Sequence, residues 1–340
     1  MNPREKIRLK SKIKKGLLLF FIFTLSAYII IFFFYVKDTP KNIKIHFEFL
    51  NLFAIILLFF LSNFFNILRV YFLGKIFNRE FNFSDSYIFT LGGVLLALIT
   101  PFQSGGMPFQ LFLLSKKKIN LGNATSVLLM RGFQSVIVFI LTIPFMLIYL
   151  QNVLSTSYVG NLIKYFMIIY SFAFTILIFI VIFNNKLKII LEKKLSDNLL
   201  KKILIKIVNF FSNFTGGIKT IFTDGIKENI ISLISTFISL YSYFALSYFV
   251  IKLFNSDVDF MKAFSLQFLL TYLSAFVPTP GSSGVAEGGT ALFFSQIVGK
   301  ENILIYIFLF RLISTYIPAF LGLFSFLKIK DWEMSASNVD

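Results

Sequence analysis

Cysteine is absent from the 340 residues, so neither a disulfide framework, a thiolate metal site nor a thiol nucleophile can be built. Histidine is nearly absent: His46 alone cannot assemble a metal site, and paired with serine on an outer loop it gives no convincing nucleophile and base. No Gly-x-x-x-x-Gly-Lys-Ser/Thr phosphate loop and no His-Glu-x-x-His pair occur, which removes ATPase drive and the paired-histidine metal site. The longest polar stretch, Asn184 to Lys227, is mostly amphipathic and too small for a soluble catalytic domain. No catalytic residue, cofactor or metal is expected.

What is present is apolar. Hydrophobic residues make up 57% of the chain, aromatics 19%, and mean hydropathy is +0.80, more apolar surface than a soluble domain could bury. The expected class is an all-α integral membrane protein. A net charge of +17 could suit nucleic acid, but the basic residues cluster in short polar segments between apolar runs, where the positive-inside rule puts them. No nucleic-acid partner is expected. Seven Lys/Arg precede the apolar run Leu17 to Val36, which lacks a small-x-small cleavage site and is taken as an uncleaved first helix.

Six runs are long enough to span a bilayer: Leu17 to Val36, His46 to Leu73, Ala124 to Leu150, Leu162 to Phe183, Asn229 to Ile251 and Ile303 to Leu327. Two further regions are interrupted. Tyr87 to Ile99 runs into Thr100-Pro101-Phe102-Gln103-Ser104-Gly105-Gly106-Met107-Pro108 and a short arm to Leu114. Ala263 to Val277 and Val285 to Val298 flank a second break holding Pro278, Thr279, Pro280, Gly281 and Gly284. Arms of 13 to 15 residues reach only about 20 to 22 Å against about 30 Å of hydrocarbon. Each pair is expected to form a re-entrant hairpin, and irregular backbone at that depth implies a cavity or protein around it.

The lysines set the orientation. With two hairpins, each returning the chain to the side it entered from, Lys75, Arg79, Lys116 to Lys118, the lysines of Lys186 to Lys219, Lys328 and Lys330 all fall inside. Both termini are then cytoplasmic, in the plasma membrane. The breaks also resemble each other: Thr100-Pro101 before Gly105-Gly106 matches Thr279-Pro280 before Gly284, and Arg131 and Arg311 follow Pro101 and Pro280 by 30 and 31 residues. The two units enter from opposite faces, an inverted repeat of the kind that points to a midplane transport site. The expected organisation is one polytopic domain: residues 1–45 with the first helix, repeat A over 46–150, a connector over 151–228, repeat B over 229–327 and a tail over 328–340. Within the connector, Lys186 to Phe214 has helical amphipathic spacing and suits either the inner membrane surface or packing on the protein itself.

Arg131 and Arg311 lie within their spans, where each charge costs about 2.5 to 3.5 kcal/mol at the midplane and calls for a partner. Glu287, just past the second break, is one candidate; a lipid phosphate, matched to the guanidinium fork, is another. Glu287 can pair with an arginine structurally, gate the site, or couple transport to protons. Helix N-termini near Pro108 and Val285 would add oriented N–H groups. Arg69, near the inner end of its helix, can snorkel or line the cavity. Gln103, Gln110 and Gln134 are candidate polar lining or helix-to-helix glue.

Thr100 to Gln110 with Arg131, and Pro278 to Glu287 with Arg311 and Pro318, resemble the transmembrane flippase-like region of the lysylphosphatidylglycerol synthase family, over nearly the whole chain. Many relatives carry an acidic and then a basic residue where this chain has Met107 and Gln110. In two-part members a soluble domain transfers lysine from lysyl-tRNA to phosphatidylglycerol, and the membrane region moves the product outward, which resists cationic peptides. The chain ends 13 residues after its last expected span, so the resemblance implies the translocating half alone. It implies a flippase or lipid-binding transporter for an anionic or lysyl-modified phospholipid. The alternatives are a phosphatidylglycerol lysyltransferase and a scaffold for a separately encoded lipid-modifying enzyme.

Overall fold

The computed structural model describes residues 3–39, 45–100, 103–154, 216–274, 277 and 279–325. The expected span Leu162 to Phe183, the amphipathic segment Lys186 to Phe214, Pro101, Pro278 and the tail over 328–340 lie outside the described residues.

Among the described residues all regular structure is helical. Nine α-helices follow in order: α1 (Pro3–Ile31), α2 (Phe49–Phe77), α3 (Phe83–Leu98), α4 (Gly106–Lys116), α5 (Leu121–Leu154), α6 (Ile226–Ile251), α7 (Phe260–Ser274), α8 (Val285–Val298) and α9 (Ile303–Arg311). A short helical stretch over 216–223 precedes α6. Two π-helical turns extend the series, Phe32–Val36 after α1 and Leu312–Tyr316 after α9, the second leading into helix as far as Ser325.

Five helices are long and apolar enough to cross a membrane: Lys15–Val36, Phe49–Phe77, Leu121–Met146, Ile226–Ile251 and Ile303–Ser325. They coincide with five of the six runs expected from the sequence. Their outer faces are apolar and unpacked: Phe21, Ile22, Leu25, Ile29 and Ile30 on α1, and Phe49, Phe53, Ile56, Phe60 and Phe64 on α2, are all exposed. In water such faces would be aggregation sites; toward acyl chains they are satisfied.

The remaining helices are short. α3, α4, α7 and α8 hold 16, 11, 15 and 14 residues, too few to span about 30 Å at about 1.5 Å each. α7 is buried without interruption from Ala263 to Leu270, so protein surrounds it on every side. Phe244 of α6 packs on it through edge contacts with Phe264 at 5.4 Å and Phe268 at 5.6 Å. Small hydroxyls join the backbones: Ser247 Oγ donates to Ala263 O at 3.3 Å and Ser239 Oγ to Ser62 O at 2.8 Å.

The chain divides into two compact units. The first holds Met1–Leu68, Phe83–Gln110 and Ser235–Asp340, the second Arg69–Asn82 and Leu111–Ile234. Within the first, α1 packs on α8 and on the Pro280–Ser282 turn, while Phe20, Leu98 and Ala319 form a small core with Val94, Leu95 and Tyr316. The second contains a buried polar knot, described below.

Candidate functional site

Both breaks of the sequence fall in the first unit, between α3 and α4 and between α7 and α8, and they touch. Gln103 Nε2 donates to Ser282 Oγ at 2.9 Å. Both residues carry positive φ, 54° for Gln103 and 56° for Ser282, a left-handed backbone that costs a non-glycine residue about 1 to 3 kcal/mol. Gly281 has φ 58° and lies so close that an added Cβ would stand 2.5 Å from Leu98 Cδ1 and 3.1 Å from Leu98 O. Only glycine meets both demands at that position.

Each break is tied by its threonine. Thr100 Oγ1 donates to Leu96 O at 2.7 Å and accepts from the Gly105 N–H at 2.8 Å, which folds the chain back after α3. Thr279 Oγ1 donates to Ser283 O at 2.7 Å, and Ser282 Oγ donates to Ser274 O at 2.8 Å, closing the second break onto the end of α7.

Glu287 is fully buried at the first turn of α8. Its Oε2 accepts from the Gly284 N–H at 2.6 Å, a carboxylate capping a helix start where backbone donors are unsatisfied. Its Oε1 accepts from Arg311 Nε–H at 2.9 Å and lies 2.9 Å from Nη2 of the same guanidinium, a buried ion pair. Arg311 Nη2 also donates to Gly281 O at 3.1 Å. The guanidinium, 11% exposed, thus clamps the break to α8. It lies 5.7 Å from the Tyr316 ring centroid. The π-helical turn accounts for that contact: its i→i+5 hydrogen bonding brings residue 316 back over residue 311, which an α-helical turn would not.

A cavity of about 290 Å³ borders this arrangement. Leu98 and Gln103 reach it from the first break, Gly281 and Ser282 from the second, and Gln267, Thr271, Thr290 and Arg311 from the helices around them. Arg311 stands at the wall, and Glu287, behind it and outside the lining, matches its charge.

The sequence-selected residues divide between the two units. Arg311, Glu287, Gln103, Thr100, Gly105, Gly106, Pro108, Thr279, Pro280, Gly281 and Gly284 belong to the first. Gln110 is there too but is buried away from the cavity, donating to Phe89 O at 3.3 Å, which makes it helix-to-helix glue. Arg131, Arg69 and Gln134 belong to the second. There Gln134 Nε2 donates to Asn229 Oδ1 at 2.9 Å, its Oε1 accepts from Ser232 at 2.9 Å, and Arg69 Nη1 donates to Ser135 Oγ at 3.3 Å. Arg69 is 6% exposed, inside the protein and not at the bilayer interface, and it is not among the residues lining this cavity. Sequence reasoning missed Tyr243, Gln267, Thr271, Ser282, Thr290 and Thr315 as lining. One signal was present: Gln267 and Thr271, four apart on one helix, form a polar pair in an otherwise apolar run.

Comparison with known proteins follows the same direction. The family model described as the lysylphosphatidylglycerol synthase TM region matches residues 16–322. A UPF0104 membrane protein of Archaeoglobus fulgidus is 24% identical over 256 residues, covering 72% of this chain and 76% of that protein. No solved structure matches the chain.

Proposed function

Because the chain belongs to the family of lysylphosphatidylglycerol synthase transmembrane regions, we propose that this multi-pass membrane protein binds a phospholipid and moves it between leaflets. The observation that carries the reading is the contact of the two breaks beside a polar-lined cavity. Gln103 and Ser282 are 179 residues apart, the offset that also relates Thr100 to Thr279 and Gly105 to Gly284. Equivalent residues that meet each other, with the same left-handed backbone, support two re-entrant hairpins related as an inverted repeat. That arrangement puts irregular backbone and a ligand site near the midplane, where alternate opening to the two leaflets needs only one repeat to rock against the other.

In this reading both termini are cytoplasmic and the membrane is the plasma membrane. Glu287 and Arg311 hold the second break closed, and a lipid phosphate competes with Glu287 for the guanidinium as the break opens. An anionic or lysyl-modified phospholipid is the cargo, with resistance to cationic peptides as the consequence of its export. The test is leaflet-specific quenching of labelled phosphatidylglycerol and lysylphosphatidylglycerol in proteoliposomes. Loss of signal beyond the outer leaflet's share is expected, and the same plateau as protein-free vesicles rejects the reading.

A further inference from the structure

We propose that α1 is the lateral door of the site: it closes a seam through which a lipid headgroup passes between the bilayer and the cavity, and it swings about the π-helical turn Phe32–Val36. This rests on the lipid-handling reading above and adds the route its cargo takes.

α1 lies between the cavity walls and the acyl chains. Phe20 packs on Leu98 of α3 and on Ala319 of the helix that runs to Ser325, over the joint between the two. Leu98 and Thr315, one from each side of that joint, line the cavity. On the outward face of α1, Phe21, Leu25, Ile29 and Ile30 are exposed. A lipid that keeps its chains in the bilayer while its headgroup enters the cavity has to cross this wall.

The seam is weakly held. α1 buries only a narrow line of residues, Gly16, Phe20, Ala27 and Ile31. Thr24 Oγ1 and Tyr28 OH are buried along it without a hydrogen-bond partner, and Tyr28 stands within electrostatic reach of Glu287 and Arg311. Closed, the seam leaves these hydroxyls unpaired; open, water or a passing headgroup pairs them, which favours parting. Neighbouring seams are tied: Tyr87 OH donates to Leu321 O at 3.1 Å between α3 and the helix that runs to Ser325, and Ser239 Oγ to Ser62 O at 2.8 Å between α6 and α2. Elements that move are drawn from the less stable parts of a fold. A pivot is present too. Sharp helix bends concentrate at π turns, and Phe32–Val36 packs on α9, so α1 can lean away while that end stays attached. Gly16 rests on Ile99 O so closely that an added Cβ would overlap it, and a side chain there would wedge the door.

The chain has no cysteine, so Ala319→Cys, a site 3% exposed beneath Phe20, reports opening by its reaction with a membrane-permeant maleimide in proteoliposomes. Tyr28→Phe in that background should slow labelling about fivefold, the low end of the cost of a buried unpaired hydroxyl, and Gly16→Val should speed it. Phe20→Cys/Ala319→Cys is then tethered with a short bifunctional thiosulfonate while labelled phosphatidylglycerol is followed. Translocation is expected to stop on tethering and to return on reduction. If Phe20→Cys does not fold, the labelling of Ala319→Cys decides alone. Unchanged translocation by the tethered protein, or labelling that responds to neither substitution, overturns the inference and leaves lipid handling standing. No translocation by the native chain overturns both.

Discussion

Replacing Glu287 with glutamine isolates a single charge. Glutamine keeps an oxygen for the Gly284 N–H, so the start of α8 stays capped, while Arg311 loses the anion that accepts its Nε–H and pairs with its Nη2, both at 2.9 Å. The guanidinium, 11% exposed, is left with Gly281 O and the Tyr316 ring. Orphaning one member of a buried pair costs about 3 to 5 kcal/mol, of which the charge-assisted hydrogen bond itself accounts for about 1.5 to 3 kcal/mol. Arg311→Met should cost a comparable amount, because it strands a carboxylate that is fully buried. The double variant Glu287→Gln/Arg311→Met strands nothing and should cost about 2 to 3 kcal/mol less than the sum of the singles. Reversible unfolding in mixed micelles with increasing dodecyl sulfate, followed by far-ultraviolet circular dichroism, gives the four free energies. Additivity within about 0.5 kcal/mol would refute the reasoning, since the two charges would then not depend on each other.

Three smaller effects follow from the same contacts. Gly281→Ala combines an unfavourable φ of 58° with a Cβ pressed on Leu98, and should lower stability by about 1 to 3 kcal/mol in the same titration; adding Leu98→Ala removes the steric part but not the backbone part. Tyr316→Leu removes the ring facing Arg311 and should cost about 0.5 to 2 kcal/mol, less if the Glu287→Gln variant is the background and the guanidinium has moved. Gln134→Leu removes the amide that Asn229 and Ser232 share in the second unit and should cost about 1 to 3 kcal/mol.

Much of the helical layout is legible in the sequence because hydrocarbon imposes a length. Val285 to Val298 is bounded by glycines on both sides, and the helix occupies that range without change. The other boundaries move by a few residues: α2 starts at Phe49, since His46 N–H donates to Leu253 O at 2.8 Å and 45–48 hold no regular structure. The partner of Arg311 is legible as well, because a cation in an apolar span must be matched and Glu287 is the carboxylate beside the break. The contact between the breaks is harder to read. Gln103 and Ser282 are neutral residues in loops, and their meeting shows only when the 179-residue offset is applied position by position. The same offset carries Arg311 onto Gly132, one residue from Arg131, so the spacing of the arginines resembles an equivalence that helix geometry does not preserve. Burial of Arg69 was not legible either, because snorkelling distance says nothing about whether a hydroxyl such as Ser135 lies nearer than the interface. The π-helical turn after Arg311 has no composition signal at all: Leu312 to Tyr316 reads as ordinary helix.

The chain's lack of cysteine allows its central claim to be tested at two atoms. With Gln103→Cys/Ser282→Cys in otherwise native protein, a short bifunctional thiosulfonate can join the two breaks, and lipid translocation in proteoliposomes is measured before cross-linking, after it, and after reduction. If the breaks part to pass a headgroup, the cross-linked protein stops moving lipid and reduction restores the rate. Translocation that continues unchanged while the two breaks are held together would contradict the account.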